Sequence, residues 1–393
     1  MRHGGDVYQK EIKYDFSVSL NPFLEEEGLM DGLINAGIRG LKASHNYPDI
    51  HQRRIRGIIA KHEGVTVNEI LAGNGASELL MGTIKYINPQ SAMLMRPCYS
   101  GYEYALESLK GCELIDYPIK EENGFLPSLS DLDLIFEKKP ELIFLTDPWN
   151  PVGKNIPDDF MEEFLRRAEE NDIWVIIDES FLLLSEKALR LKAGRKKDLI
   201  KRFPHVVFIT SYTKFLALPG VRMGYMTADE QVIEGVRSEL PEWNISIPAE
   251  SIMEEGIKLA EDSYIEMLIK KLREEREHLT RELQNLGFKV YDSDSCFIFF
   301  SEELISKEYF SEENIPEEKD GIESSEKTLG NTFEKNQKKS LEKSLEDEGI
   351  LIRSFEMNEY PNTPSKRFYR IGIKEHDANY HLVEMIQNMK IKK

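Results

Sequence analysis

Between residues 70 and 230, short apolar runs bounded by turn residues alternate with stretches whose apolar positions recur at helical spacing. That alternation is the pattern of βαβ units wound into a mainly parallel sheet, whose strands are covered on both faces and so read as unbroken apolar runs. The runs are Ala92–Met95, Leu114–Tyr117, Leu142–Thr146, Trp174–Ile177, Val206–Thr210 and Arg222–Thr227. Between two of them, Phe160, Met161, Phe164, Leu165 and Ala168 share one stripe of Pro157–Glu170, behind a Pro-Asp-Asp start suited to a helix N-terminus. Such a helix packs one face on the sheet.

Beyond residue 249 the pattern changes to one long helix, Ala249–Leu286, with Leu268, Leu272, Leu279, Leu283 and Leu286 on a stripe and Gly287 as its stop. Strand-like Cys296–Phe300 follows. Ser311–Lys339 then holds eight acidic and five basic residues but only four large apolar ones, which marks a solvated insertion. Helical patterning at Ser340–Glu348, strands at Ile350–Arg353 and Phe368–Ile373 and an amphipathic helix complete the chain. The expected architecture is α/β: a large domain over 41–250 with a mainly parallel sheet flanked by helices, and a smaller α+β domain over 251–393. The latter carries the charged insertion near 311–339 and shares part of an N-terminal arm over 1–40.

At 393 residues the chain is long enough for two cores, and 40% hydrophobic residues exclude a disordered polymer. Lys+Arg 51 against Asp+Glu 70 leaves a net charge of −19, which repels nucleic acid and anionic membranes. Cys98, Cys112 and Cys296 have no C-x-x-C spacing, arguing against a disulfide framework or a structural zinc site, so no metal is expected. With neither an apolar leader nor a membrane-length run, the expected location is a reducing cytoplasm.

Four segments carry candidate chemistry, three of them at the end of an apolar run and one opening a helix. Ser211-Tyr212-Thr213-Lys214 follows Val206–Thr210 and precedes Arg222. A desolvated lysine is a nucleophile toward an aldehyde, and Ser211 with Arg222 could hold a phosphate beside it; the plain alternative is a snorkelling surface lysine. Asp178 ends Trp174–Ile177, where it either faces the site crevice, able to pair with a protonated pyridine nitrogen, or caps the next helix. Gly73-Asn74-Gly75-Ala76-Ser77 opens a helix, either as a phosphate cradle or simply as flexible glycines before an N-cap at Ser77. Asp147-Pro148-Trp149-Asn150-Pro151-Val152-Gly153 is a rigid turn that projects the Asn150 amide into the same crevice.

Taken together, Gly73-Asn74-Gly75, Asn150-Pro151-x-Gly153, Asp178-Glu179-x-Phe181 and Ser211-x-x-Lys214 with Arg222 resemble the class I/II, fold-type I pyridoxal-phosphate aminotransferase superfamily. Within it the chain is similar to the branch of L-threonine-O-3-phosphate decarboxylases of cobalamin synthesis and histidinol-phosphate aminotransferases. The resemblance implies pyridoxal 5'-phosphate as cofactor, its aldehyde captured by Lys214, its ring nitrogen paired with Asp178 and its phenolic oxygen bonded by Asn150. It implies that Tyr99 stacks on the ring, that Gly75, Ala76, Ser77, Ser211 and Arg222 surround the phosphate, and that Tyr47 reaches the phosphate from a second subunit of a homodimer. It also places His3, Asn21, Arg353 and Arg370 at the substrate, Arg370 on its carboxylate and Arg353 on a substrate phosphate. Read without the resemblance, Tyr99 is equally a core aromatic and Arg353 a sheet-edge charge. Val152 and Trp149 depart from the family's Asn-Pro-Thr-Gly turn.

The expected substrate is thus a small phosphorylated amino acid or amine. Three likenesses favour the decarboxylase over the aminotransferase: His3-Gly4-Gly5 with Asp15-Phe16-Ser17-x-Ser19-x-Asn21-Pro22, Phe181 where the aminotransferases place a tyrosine, and Pro241-x-Trp243-Asn244. A non-catalytic cofactor-binding regulator is disfavoured because no basic DNA-binding helix precedes the family-like segment.

Overall fold

A computed structural model describes residues 4–8, 10–25, 27–260, 262–303, 340–356 and 366–391. Its central sheet has seven strands in the order Ile70–Gly73, Gly224–Thr227, Val206–Ser211, Trp174–Asp178, Leu142–Thr146, Ser91–Arg96, Glu113–Pro118. Gly224–Thr227 runs antiparallel to both its neighbours, and the other pairs are parallel. The unbroken apolar runs reflect burial on both faces. Met93, Ile143, Val175 and Phe208 join one apolar cluster with Phe160 and Phe164 of the helix Asp158–Glu170. Leu94, Phe144, Ile176 and Val207 join another with Leu79 and Ile84 of the helix Ala76–Ile87. The fold is α/β, a mostly parallel sheet between helices, as the alternating pattern requires.

C-terminal residues build a second, antiparallel sheet ordered Arg353–Glu356, Lys366–Gly372, Phe297–Glu303, Lys289–Val290. The helix Asp262–Asn285 turns Leu268, Leu272, Leu279 and Leu283 into the apolar cluster that also holds Phe297, Ile298 and Ile371 of this sheet. Gly287 adopts the left-handed conformation (φ +81°) that ends a helix without Cβ strain.

Several boundaries differ from the sequence reading. The expected helix Ala249–Leu286 is two helices, Ile247–Leu259 and Asp262–Asn285. No glycine or proline marks the break; the first helix packs on Met30–Ala43, where Ile252 meets Gly37, and the second on the C-terminal helix His376–Ile391. The strand expected from Arg222 begins at Gly224, because Arg222 has a positive φ of 61° that no strand accommodates. The run Ile350–Arg353 splits: Ile350–Leu351 pairs in parallel with Tyr14–Asp15, whereas Arg353–Glu356 pairs with Lys366–Gly372. Ile70–Gly73, unremarked in the sequence, is an edge strand of the main sheet. His3 and the insertion 311–339 lie outside the described residues. Among the described residues no helix is long and apolar enough to cross a membrane, and no cluster of His, Cys, Asp and Glu could hold a metal ion.

Candidate active site

A cleft of about 220 Å³ opens at the carboxyl ends of the parallel strands, where a doubly wound sheet leaves its crevice. Both sheets and the segment 17–19 line it. Lys214 sits one helical turn past Val206–Ser211, in Tyr212–Phe215, and its ammonium lies 5.9 Å from the Phe181 ring centroid. Burial, then the nearby Arg370 and Arg222, pull its pKa from 10.5 down to about 8, against the opposing pull of Cys296 and Asp178. An appreciable fraction of this amine is therefore neutral near pH 8.

Asp178 ends the neighbouring strand. Its Oδ1 accepts the Ser180 backbone N–H at 2.9 Å and its Oδ2 accepts the Tyr102 hydroxyl at 2.9 Å. Burial raises its pKa, and those donors to the charged form oppose the rise. Its carboxylate braces the following turn and lines the cleft, while the next helix, Leu182–Leu184, takes no side-chain cap.

Opposite Lys214, the helix Ala76–Ile87 begins at Gly75 without a side-chain cap, so its first amides are left for a ligand. Gly75 has φ +82°, and a Cβ there would stand 2.5 Å from Arg222 Nη2. Only glycine lets the Arg222 guanidinium close on that turn. Ala76, Ser77, Ser211 and Thr213 line the same end, with the Ser211 and Thr213 hydroxyls bonded at 2.7 Å. Tyr99 also lines the cleft.

Arg353 and Arg370 enter from the small sheet as directly opposed residues of adjacent strands. Arg370 is 5% exposed. It donates through Nη1 to Asn150 Oδ1 at 2.8 Å and through Nη2 to the Ser17 carbonyl at 3.4 Å, while its Nε has no partner. Burial and the facing Arg353 bring its pKa down to about 9, and burial lowers that of Arg353 as well. Because Asn150 spends its oxygen on Arg370, its NH₂ group is the donor it can offer a ligand. Among the described residues the cleft thus holds Lys214, Arg222, Arg353 and Arg370 against the one carboxylate of Asp178, inside a chain of net charge −19. Such a site is built for anions.

Two of the residues expected at the site stand elsewhere in the described chain. Asn21 is buried behind the cleft: its amide donates to the Phe215 carbonyl and the Tyr264 hydroxyl, and its backbone N–H bonds the Lys214 carbonyl at 3.0 Å. It braces the turn that carries Lys214 because its own polar atoms are already spent. Tyr47 is 79% exposed and packs on Trp243 at 4.9 Å, away from this chain's cleft. Trp149 and Val152 are buried beneath the Asn150 turn without lining the cleft. Conversely, Ser19 lines the cleft with a buried, unpartnered hydroxyl, and Ser17 and Ser180 join it. The Asp15–Asn21 stretch contained Ser17 and Ser19, and the pairing of Tyr14–Asp15 with Ile350–Leu351 and the bond from Arg370 to the Ser17 carbonyl bring them to the site.

The donor set fits pyridoxal phosphate: a depressed-pKa lysine, a carboxylate for a ring nitrogen, an uncapped helix start with a guanidinium for a phosphate, and orphaned donors at Ser19 and Arg370 Nε.

The chain resembles known proteins along nearly its whole length. The family model for aminotransferase class I and II matches residues 11–386. The adenosylcobalamin biosynthesis bifunctional protein CobDQ of Leptospira interrogans is 31% identical over 75% of this chain, which spans about a third (34%) of that protein. The threonine-phosphate decarboxylase of Salmonella typhimurium is 25% identical over 98% of this chain and 96% of its own. A histidinol-phosphate aminotransferase of Archaeoglobus fulgidus is 25% identical over 75% of this chain and 79% of its own. The crystal structure of the histidinol-phosphate aminotransferase from Clostridium acetobutylicum superposes with a TM-score of 0.76 at 23% identity, covering 97% of this chain and all (100%) of that one. The chain belongs to the aminotransferase class I and II family, and so to the pyridoxal-phosphate-dependent enzymes.

Proposed function

We propose that this enzyme acts on a small amino acid bearing a phosphate, as an L-threonine-O-3-phosphate decarboxylase-like enzyme of cobalamin synthesis. The observation that carries the reading is the facing pair Arg353 and Arg370 in the Lys214 cleft. The buried Arg370 guanidinium and the half-buried Arg353 guanidinium repel each other, and the cost falls when two anions of one ligand arrive between them. A substrate carboxylate supplies one anion. A phosphate on the same molecule supplies the other.

When bound, pyridoxal phosphate supplies an aldehyde for an amine and a ring that withdraws electrons from the substrate's Cα. In this reading Asp178 holds the proton on the ring nitrogen, Asn150 donates its NH₂ to the phenolic oxygen, and Tyr99 packs on the ring face. The Ala76 and Ser77 amides with Ser211 and Arg222 hold the cofactor phosphate. Lys214, whose pKa burial lowers to about 8, would be the amine that captures the cofactor's aldehyde and the group that holds or moves a proton at the substrate's Cα. Arg370 orients the carboxylate. The orientation of the substrate decides which bond at its Cα breaks, so Arg353 on a substrate phosphate together with Arg370 on the carboxylate would select loss of carbon dioxide. Phe181, lacking a hydroxyl beside Lys214, and a decarboxylase relative matching along 98% of the chain support this outcome. The second reading, a histidinol-phosphate-type aminotransferase, rests on the same cleft and on the aminotransferase relatives.

The reading includes a homodimer with shared sites. Ile34, Ile38 and Leu41 form an exposed apolar row on the helix Met30–Ala43, and Tyr47 stands exposed just beyond its end, a surface suited to burial by a second copy. In a dimer so formed, Tyr47 would meet the partner's cofactor phosphate. Light scattering reporting a fully active monomer would remove this part.

The test of the reaction is incubation with phosphothreonine, phosphoserine and histidinol phosphate, following carbon dioxide and conversion of the cofactor to its amine form. Carbon dioxide from an O-phospho amino acid with the aldehyde form retained is expected. Stoichiometric pyridoxamine phosphate from histidinol phosphate, with no gas from the others, would establish the aminotransferase instead. With the decarboxylase confirmed, Arg353→Met should raise KM for the phosphorylated substrate about 10-fold to 100-fold through loss of a buried charge-assisted pair.

A further inference from the structure

We infer that Tyr102 is a positioning residue for the cofactor site, clamping the Asp178 carboxylate by a hydrogen bond from behind the cleft. The inference rests on the reading of Asp178 as partner of the cofactor's ring nitrogen. Tyr102 lies in the helix Ser100–Leu106, is 1% exposed and does not itself line the cleft. Its hydroxyl donates to Asp178 Oδ2 at 2.9 Å, while the other carboxylate oxygen accepts the Ser180 amide. The phenol ring has little freedom. It stacks on Phe144 of the adjacent strand at 4.8 Å with an 11° interplanar angle, and the Tyr99 ring meets it at 85° and 5.4 Å. Gly101 completes the arrangement: a Cβ there would stand 2.1 Å from Tyr99 Cε1. One short segment therefore seats the ring that lines the cleft and holds the acid beneath it.

The chemical consequence follows from the direction of the bond. Burial and the neighbouring Asp178 keep the Tyr102 phenol protonated far above its ordinary range, so it acts as a donor and stabilises the ionised carboxylate. Without that donor, a carboxylate already pushed toward its neutral form by burial moves further that way. A neutral acid cannot form an ion pair with a protonated ring nitrogen. The cofactor ring then withdraws electrons less strongly, and the nitrogen joining it to Lys214 keeps its proton to a higher pH.

Tyr102→Phe keeps the ring and removes only the hydroxyl. In the holoenzyme, a pH titration of the bound cofactor's visible absorbance should show its midpoint raised by about half a unit or more, and the cofactor dissociation constant should rise about tenfold, the scale of one lost charge-assisted hydrogen bond. A tyrosine of structural value alone would lower the melting temperature of the cofactor-free protein and leave the midpoint unmoved. That result overturns the inference. Asp178→Asn separates the two levels of the reasoning: if it shifts the midpoint and Tyr102→Phe does not, only the role of Tyr102 fails. If neither variant shifts it, the assignment of Asp178 fails and takes the inference with it.

Discussion

Replacing Lys214 with methionine should stabilise the cofactor-free protein, and the gain should vanish at alkaline pH. The folded state holds the Lys214 pKa at about 8 rather than 10.5 because burial and two arginines oppose its charge. At 1.36 kcal/mol per unit, that shift corresponds to about 3 kcal/mol of penalty, an upper figure because the side chain is only partly buried. Below pH 8 both folded and unfolded chains carry the proton, and the whole penalty is present. Between about 8 and 10.5 the folded chain has released its proton while the unfolded chain retains it, so wild-type stability rises with pH through that window. Above it both are neutral. Lys214→Met should therefore exceed the wild type by up to about 3 kcal/mol at pH 7, with the gap closing by pH 10.5. Urea unfolding of both proteins at several pH values, with matched m-values, measures the gap directly. A gap independent of pH, or a variant less stable at pH 7, would refute the reasoning. The same lysine should be the one labelled when the holoenzyme is reduced with borohydride and its peptides mapped.

Gly75→Ala should weaken cofactor binding about tenfold or more, because at φ 82° and ψ 168°, a region open essentially to glycine alone, an alanine costs about 1–3 kcal/mol and its Cβ displaces Arg222; cofactor titration reads this, and unchanged affinity would show that the cradle lies elsewhere. Lys196→Met should cost about 3–5 kcal/mol in urea unfolding at pH 7, because it strips a 3%-exposed ammonium from between Glu63 and Glu179, each at 2.9 Å. A loss under about 1 kcal/mol would mean that those carboxylates are hydrated or protonated.

Much of this protein was legible along the chain because its signals are local. A strand covered on both faces must be apolar throughout, so Leu142–Thr146 and Val206–Thr210 stood out without any knowledge of their neighbours. Lys214, Asp178, Asn150 and the Gly75 turn were readable for the same reason: each follows its own strand or opens its own helix, and parallel strands deliver their ends to one edge. Tertiary structure decided what depends on partners distant in sequence. The break near residue 260 has no glycine or proline to mark it, and the two helices pack on different elements, Met30–Ala43 and His376–Ile391. Asn21 looked like a ligand and Ser19 carried no assigned role until packing spent the amide of one on Phe215 and Tyr264 and left the hydroxyl of the other lining the cleft. The facing of Arg353 and Arg370, the ends of a run that changes sheets and a strand that returns beside it, is a matter of register. Register is set by the whole sheet's burial, and no window of sequence around either arginine contains it.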